Sequence, residues 1–385
     1  MRLTLLISVA VGAIAAALSP ASAGWKETRQ AIYDRIERQD YTSAYQLAAG
    51  SAGQDAESEF YAGWIALKRL GNAQASLRHF VSYAAGSSSA PERAKSLYWV
   101  ASSLAALGQT EQSKKYLADA ASYGSTFYGQ AAAGRLGQRP SVDAGAPQVD
   151  KARLVLSVKE PWVQEAIAAY RSGDTRGRDN ALLGLGGRNS IDQIAIACRV
   201  ALALGAPGVA VELSKRVERS GMNLGACGYP DVEIKWHHPK ISKDLVLAVI
   251  REESRFRQGA VSGKGAKGKM QITPIAERDV EQITGVSIDS GRVASDADYN
   301  VAVGSTYFVK TAGRFDYHPI LAIAAYNAGP TKVTEWLGTI GDPRTGQIDT
   351  VDWIESIPYT ETRLYVKAVF SSYIAYSSKR AAGTG

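Results

Sequence analysis

Cysteine is scarce in this chain, with Cys198 and Cys227 the only two among 385 residues. That excludes a disulfide-dense scaffold, and two cysteines without zinc-ligand spacing do not build a structural zinc site. Histidine is nearly as rare. His79, His237, His238 and His318 include no His-Glu-x-x-His pattern, so neither a metal nor any other cofactor is expected. Only 13 prolines occur, in a chain rich in alanine and leucine, and β-rich segments are sparse. This favours a mostly α protein over a β-sandwich. Beyond the first 23 residues no stretch is apolar enough to span a bilayer. Gly263-Lys-Gly265-Ala-Lys-Gly268 matches G-x-G-x-x-G, but the segment before it reads as helix rather than strand. Met270 also occupies the place of a P-loop hydroxyl, so nucleotide binding is excluded.

What is present points elsewhere. Hydrophobic residues make up 45% of the chain and charged ones 21%, which suits a folded protein of two or three domains. The formal charge of +7 implies an anionic partner: nucleic acid, membrane surface or an acidic polymer. Arg2, the apolar run Leu3 to Leu18 and the small residues Ala21-Ser22-Ala23 read as a secretory signal peptide over 1–23. The mature chain would then start at Gly24, outside the cytoplasm and with no transmembrane segment. Export makes nucleic acid a poor partner and an extracytoplasmic acidic polymer a better one. It also exposes Cys198 and Cys227 to oxidising conditions, although sequence separation leaves open whether they pair.

From Gly24 to about Leu136 the pattern is one of helical hairpins. Phe60-Tyr61-Ala-Gly63-Trp64 through Leu70-Gly71 returns as Leu97-Tyr98-Trp99-Val100 through Leu107-Gly108, an offset of 37 residues. Two helices per unit at this period predict a tetratricopeptide-like solenoid, with a degenerate copy near Ala31 to Ala49. A Gly/Pro/Ala/Ser-rich linker lies at about 137–150, and helical patterns resume in Pro161 to Tyr170 and Ile191 to Leu204, broken at Gly184 to Ser190. The texture changes around Tyr229-Pro230. The expected layout is a helical scaffold over 24–228 and a catalytic domain over 229–385.

Ser242 to Phe256 reads as a capped helix with an apolar stripe through Leu245, Ala248, Val249 and Phe256. Glu252 and Glu253 lie near its end, and Glu253 continues the stripe. A carboxyl held against apolar side chains has a raised pKa, as a general acid near neutral pH requires. By itself the cluster also reads as a solvated Glu–Arg helix end.

Five segments in order remove that ambiguity: Arg251-Glu-Glu253-Ser254-Arg-Phe256; Ala260-Val261-Ser262 with Gly265-Ala-Lys-Gly268-Lys-Met270-Gln271-Ile-Thr-Pro274; Asn300-Val-Ala-Val-Gly304-Ser-Thr-Tyr307; Ala325-Tyr326-Asn327-Ala-Gly329-Pro330; and Trp353-Ile-Glu355-Ser-Ile-Pro358-Tyr359-Thr-Glu361-Thr362-Arg363-Leu-Tyr365. Together they resemble the soluble lytic transglycosylases. The resemblance implies a lysozyme-like α domain with little β, following an N-terminal α-superhelical scaffold. It also implies periplasmic cleavage of the β-1,4 bond between N-acetylmuramic acid and N-acetylglucosamine in peptidoglycan, giving a 1,6-anhydro end. A hydrolytic muramidase on the same fold, or a non-catalytic peptidoglycan-binding scaffold, are the other readings.

On that resemblance Glu253 is the single general acid and base. Met270 and Gln271 would line the sugar groove, Tyr326 and Asn327 would face the site, and Tyr359 and Glu361 would lie close to it. Ser254 would hold either local backbone or the carboxylate, whereas Arg363 and Tyr365 read as structural helix residues. Gly265, Gly268 and Gly329 would serve tight turns. One position departs from the family, which commonly has leucine where this chain has Lys269. That lysine is expected to point outward or to the groove rim, in a loop made basic by Lys264 and Lys267.

Overall fold

A computed structural model describes residues 20–53, 55–143, 146–184, 190–219 and 222–381. The apolar core of the proposed signal peptide therefore lies outside the described residues, as do Ala144 and Gly145 of the linker and most of the Gly184 to Ser190 break. The chain is helical throughout, and isolated bridges are the β structure seen among the described residues. Two compact units form, one within Ile14–Ala144 and the other within Gly145–Glu218 and Met222–Gly385.

The first unit is a run of helices: α1 Pro20–Glu37, α2 Tyr41–Gly50, α3 Ala56–Lys68, α4 Ala73–Gly86, α5 Ala90–Ala106, α6 Thr110–Ala121 and α7 Phe127–Arg135. Consecutive helices pack as hairpins, and the expected degenerate copy is the α1–α2 pair. Side-chain caps define the starts. Asp40, Asp55, Asn72 and Ser89 each accept a backbone N–H of the following first turn, satisfying donors the helix cannot. The two aromatic copies meet inside the stack. Phe80 lies against Trp99, with ring centroids 5.6 Å apart, and Phe60 touches both. Gly63 lets that ring approach, because a Cβ there would lie 2.9 Å from Phe80 Cε1.

The second unit begins with α8 Lys151–Ser157, α9 Pro161–Ser172, α10 Thr175–Leu183, α11 Ile191–Ala203 and α12 Pro207–Arg219. A short 3-10 turn at Gly225–Gly228 leads into α13 Lys243–Ser254, α14 Pro274–Thr284, α15 Ser290–Ser295, α16 Ala297–Gly313, α17 Pro319–Ala328, α18 Pro330–Ile340, α19 Thr350–Ser356 and α20 Thr360–Ala381. Helix α17 is apolar all round, so only the interior can hold it. It is buried from Ile320 to Ala328 and packs on α16, α18 and α20. Among the described residues no helix is long and apolar enough to cross a membrane.

The expected layout divides the chain at 229, a position inside this second unit. Charged contacts join the two sides of it. Lys215 of α12 pairs with Glu252 at 2.7 Å, Glu218 pairs with Arg251 at 3.1 Å, and Glu212 holds Arg255. The question left open for the cysteines is answered by a Cys198–Cys227 disulfide, with Cα atoms 6.3 Å apart. It ties α11 to the 3-10 turn, whose Gly228 carbonyl accepts Arg251 Nε at 3.0 Å.

Candidate active site

Helix α13 starts at Ser242, whose hydroxyl accepts the Leu245 N–H. It ends where Arg255 and Phe256 both adopt positive φ, at 53° and 62°. Such conformations cost non-glycine residues about 1 kcal/mol or more each and persist only where the surroundings impose them. Here the chain turns sharply immediately after Glu253 and Ser254.

Helix α20 runs antiparallel to α13, and polar pairs mark the register along the seam. Arg380 binds Asp244 at 2.7 Å, Ser372 donates to Glu252 at 2.8 Å, and Tyr365 Oη donates to Glu253 Oε1 at 2.7 Å. The two adjacent glutamates consequently take opposite characters. Glu252 is buried, but the Lys215 ammonium and Arg251 guanidinium, with bonds from Lys215 and Ser372, overcome desolvation and hold its pKa at about 2. Burial dominates at Glu253 and raises its pKa to about 8. The Tyr365 hydrogen bond opposes that rise, while the negative charges of Glu252 and Glu361 reinforce it. Two neighbouring carboxyls pushed apart in this way separate a permanent anion from a group that can carry a proton at neutral pH.

The turn that follows is fixed by Asn300 of α16, which is fully buried. Its Oδ1 accepts the Met270 N–H, and its Nδ2 donates to the carbonyls of Lys267 and Val293, all at 2.9 Å. Gly268 has φ +75°, and a Cβ there would fall 2.1 Å from Asn300 Nδ2. Only glycine fits. Gly265 and Gly329 also have positive φ.

The other expected site residues are distributed unevenly. Tyr326 is buried on α17, and its hydroxyl donates to the Met270 carbonyl at 2.8 Å, tying α17 to the 268–271 turn. Burial and then the Glu253 charge raise its pKa far above the ordinary range, so the phenol stays protonated. Asn327 Oδ1 accepts the Thr362 hydroxyl at 2.7 Å, while its buried Nδ2 has no partner. Gln271 has φ 48° and donates its amide to the carbonyls of Ala260 and Gly268, leaving its oxygen to offer. The Met270 side chain is fully buried against Ser305 and Gly304, so it packs the core here rather than presenting to a groove. Ser254 Oγ donates to the Ile250 carbonyl, the backbone alternative of the two expected for it. Glu361 lies on α20 one turn before Tyr365 and acts on Glu253 through its charge. Tyr359 is exposed and packs edge-on against Trp336, with centroids 5.4 Å apart.

Tyr365 is the contact that sequence reasoning missed. The sequence pattern reads it as a structural helix residue, yet its hydroxyl donates to Glu253. The signal available was its place four residues after Glu361, on the same face of a helix. Lys269 is half-buried, with Asp298 the charge that acts on it, and Lys267 is held by Ser290 and Glu277, so Lys264 is the exposed lysine of the basic loop. Among the described residues no three His, Cys, Asp or Glu side chains converge as a metal site.

Residues 233–347 match the family model of the transglycosylase SLT domain. The chain carries an SLT domain. A stretch of 138 residues of the chain is 37% identical to the soluble lytic murein transglycosylase of Escherichia coli K12, covering 36% of this chain and 21% of that protein. The corresponding Salmonella typhimurium enzyme is 36% identical over 150 residues, covering 38% of this chain and 22% of that protein. These matches span about a fifth of the relatives' length.

The fold extends further than the sequence match. The lytic transglycosylase Slt of Pseudomonas aeruginosa, solved as an inactive mutant, superposes with a TM-score of 0.70 at 22% identity, over 95% of this chain and 59% of that one. The 70 kDa soluble lytic transglycosylase of E. coli gives 0.60 at 22% identity, over 91% and 62%. A helical scaffold followed by a lysozyme-like domain is thus the fold of this chain as well, with the residues matched to the SLT domain carrying Glu253, Asn300 and Tyr326.

Proposed function

We propose that this protein is an exported lytic transglycosylase that cleaves the β-1,4 bond between N-acetylmuramic acid and N-acetylglucosamine in peptidoglycan. The observation that carries the reading is Glu253, a carboxyl raised to about 8 and held by Tyr365 inside an SLT domain. At neutral pH Glu253 is protonated and donates to the glycosidic oxygen as the bond to C1 breaks. The carboxylate left behind accepts the proton of the muramic acid C6 hydroxyl as that oxygen bonds to C1. Glu253 is thereby reprotonated and the product ends in a 1,6-anhydro ring. The nucleophile is already tethered to the reacting centre, so no second carboxylate need activate a water. Glu361 then has a supporting role, its charge keeping Glu253 protonated.

The same reading assigns the surrounding residues. Tyr365 orients the acid, Tyr326 fixes the turn beside it, Gln271 supplies an amide oxygen for sugar groups, and Asn327 lies next to Tyr326, bonded to Thr362. Tyr359 lies at the outer edge. Residues 24–228 serve as scaffold and 229–385 as catalytic domain, with cleavage of a leader near Ala23 delivering the chain to the periplasm. The Cys198–Cys227 disulfide suits that oxidising destination. A 70 kDa soluble lytic transglycosylase of similar fold has been solved with bulgecin A, which offers a direct ligand to try here.

Product analysis tests the proposal. Purified protein acting on isolated cell-wall sacculi should release muropeptides lighter by one water than hydrolysed ones, and Glu253→Gln should release none. Products with reducing ends would make the chain a muramidase. Binding without any cleavage would make it a scaffold.

A further inference from the structure

Helix α12 lies outside the residues matched to the SLT domain, yet it meets the end of α13 along one face. Glu212 pairs with Arg255, Lys215 with Glu252 at 2.7 Å and Glu218 with Arg251 at 3.1 Å. The three α12 residues are spaced by three and so share a face. Their charges run minus, plus, minus against plus, minus, plus on α13. Sliding α12 by one such step in either direction would set like charge on like, so the observed register is the favoured one. Glu253 lies between these paired positions and bonds to Tyr365 of α20 instead.

Arg255 is the pivot. It occupies the left-handed position that closes α13, with its N–H on the carbonyls of Arg251 and Ile250. Helices favour glycine there, because a Cβ makes the conformation costly. An arginine has to be held, and α12 holds it on two sides. Its guanidinium donates to Glu212, and its carbonyl faces Gly208, where a Cβ would fall 2.7 Å from that oxygen. Burial opposes ionisation of Glu212, but the Arg255 and Arg216 guanidiniums overcome it and hold the carboxyl below its ordinary range. Phe256, the second left-handed residue, is anchored by its own burial. Beyond the turn the chain reaches Ala260, whose carbonyl accepts the Gln271 amide and the Gly268 N–H. The direction taken at Arg255 thus sets where the acid stands relative to the 268–271 turn.

We propose that Glu212 is a positioning residue for Glu253, acting through Arg255: it holds the left-handed turn that closes α13, and with it the placement of the acid against the 268–271 turn. The inference rests on Glu253 being the acid of a lytic transglycosylase. It makes α12, in the scaffold portion of the chain, part of what shapes the site. Glu212 touches no reacting atom. Lys215 and Glu218 fix the register in which α12 delivers it.

The test is a rescue. Glu212→Ala should lower kcat for release of anhydro products from uncross-linked glycan strands at least about tenfold, with KM changed less than about twofold, because substrate still binds but meets a displaced acid. Adding Arg255→Gly should restore kcat to within about threefold of wild type, since glycine takes the left-handed turn unaided. Arg216→Ala removes the other partner of Glu212, leaves the turn alone and should turn over as wild type does. Hydrogen exchange reads the turn without reference to cleavage. Peptides spanning Arg251 to Gly259 should exchange faster in Glu212→Ala and return to the wild-type rate with Arg255→Gly. The proposal is overturned if Glu212→Ala keeps the wild-type kcat, if its loss appears in KM alone, or if Arg255→Gly fails to recover it. Unchanged exchange in the turn, or an Arg216→Ala loss as large as that of Glu212→Ala, overturns it equally. Should Glu212→Ala not fold, Glu212→Gln removes only the charge and is held to the same outcomes at smaller amplitude. Wild type releasing no anhydro product would overturn the enzymatic reading instead, and exchange would then decide whether α12 holds the turn.

Discussion

Replacing Tyr365 with phenylalanine removes one oxygen from the site and should move the protonation of Glu253 in a known direction. The hydroxyl donates to Glu253 Oε1 at 2.7 Å and so favours the ionised carboxylate against burial and the charges of Glu252 and Glu361. A hydrogen bond to a charged group is worth about 1.5–3 kcal/mol. One pKa unit corresponds to about 1.4 kcal/mol, so Tyr365→Phe should raise Glu253 by about one to two units above its value near 8. At pH 9 the wild-type acid would be protonated in roughly a tenth of molecules, and the variant in about half or more. The variant is expected to lose activity at neutral pH, where the acid is less well oriented, yet to retain a larger fraction of that activity at pH 9. The assay is the initial rate of sacculus clearing between pH 5 and 10, with anhydro products counted by mass spectrometry and a thermal melt to confirm the fold. A basic limb that stays in place or moves to lower pH in a folded variant would refute the electrostatic account of this site.

Glu361→Gln supplies the opposite sign: removing a like charge should lower the pKa of Glu253 and move the basic limb of the same profile to lower pH. Glu252→Gln should act on stability, because it breaks a buried cluster with Lys215, Arg251 and Ser372, at a cost of about 3–5 kcal/mol in chemical denaturation. The depressed pKa of Glu252 stabilises the fold above the unfolded carboxyl range near 4.5. That contribution should be lost as pH falls towards about 2, and the variant's acid denaturation should lack it. Reducing the Cys198–Cys227 bridge opens a loop of 29 residues and should cost about 2–4 kcal/mol, read as a fall in the denaturation midpoint. Gly268→Ala places a Cβ against Asn300 and strains a positive φ, so it should both lower the melting temperature and abolish clearing.

Much of the site was legible because its residues lie in short, ordered segments. The stripe through Leu245, Ala248 and Val249 located Glu253 on the apolar side of a helix, and alternatives such as a nucleotide loop failed on their local requirements. The hairpin scaffold was legible for a similar reason: a 37-residue repeat of large residues and closing glycines is a local signal. Roles that depend on which partner a side chain meets were not. Met270 looked like a groove residue but is sealed in the core, and the amide donors of Gln271 are used by its own loop. Tyr365 looked structural because the helix that carries it is separated from Glu253 by more than a hundred residues.

The absence of zinc spacing, the scarcity of cysteine and the helical periodicity are properties of the chain alone. They determined that this is a mostly α protein. Tertiary structure decided which of two adjacent glutamates carries the raised pKa. The sequence puts Glu252 and Glu253 side by side, with the same intrinsic pKa. Successive residues on a helix point about 100° apart, so one meets Lys215, Arg251 and Ser372 and the other is desolvated with a tyrosine as its hydrogen-bond partner. The environment, and not the residue type, separates their protonation.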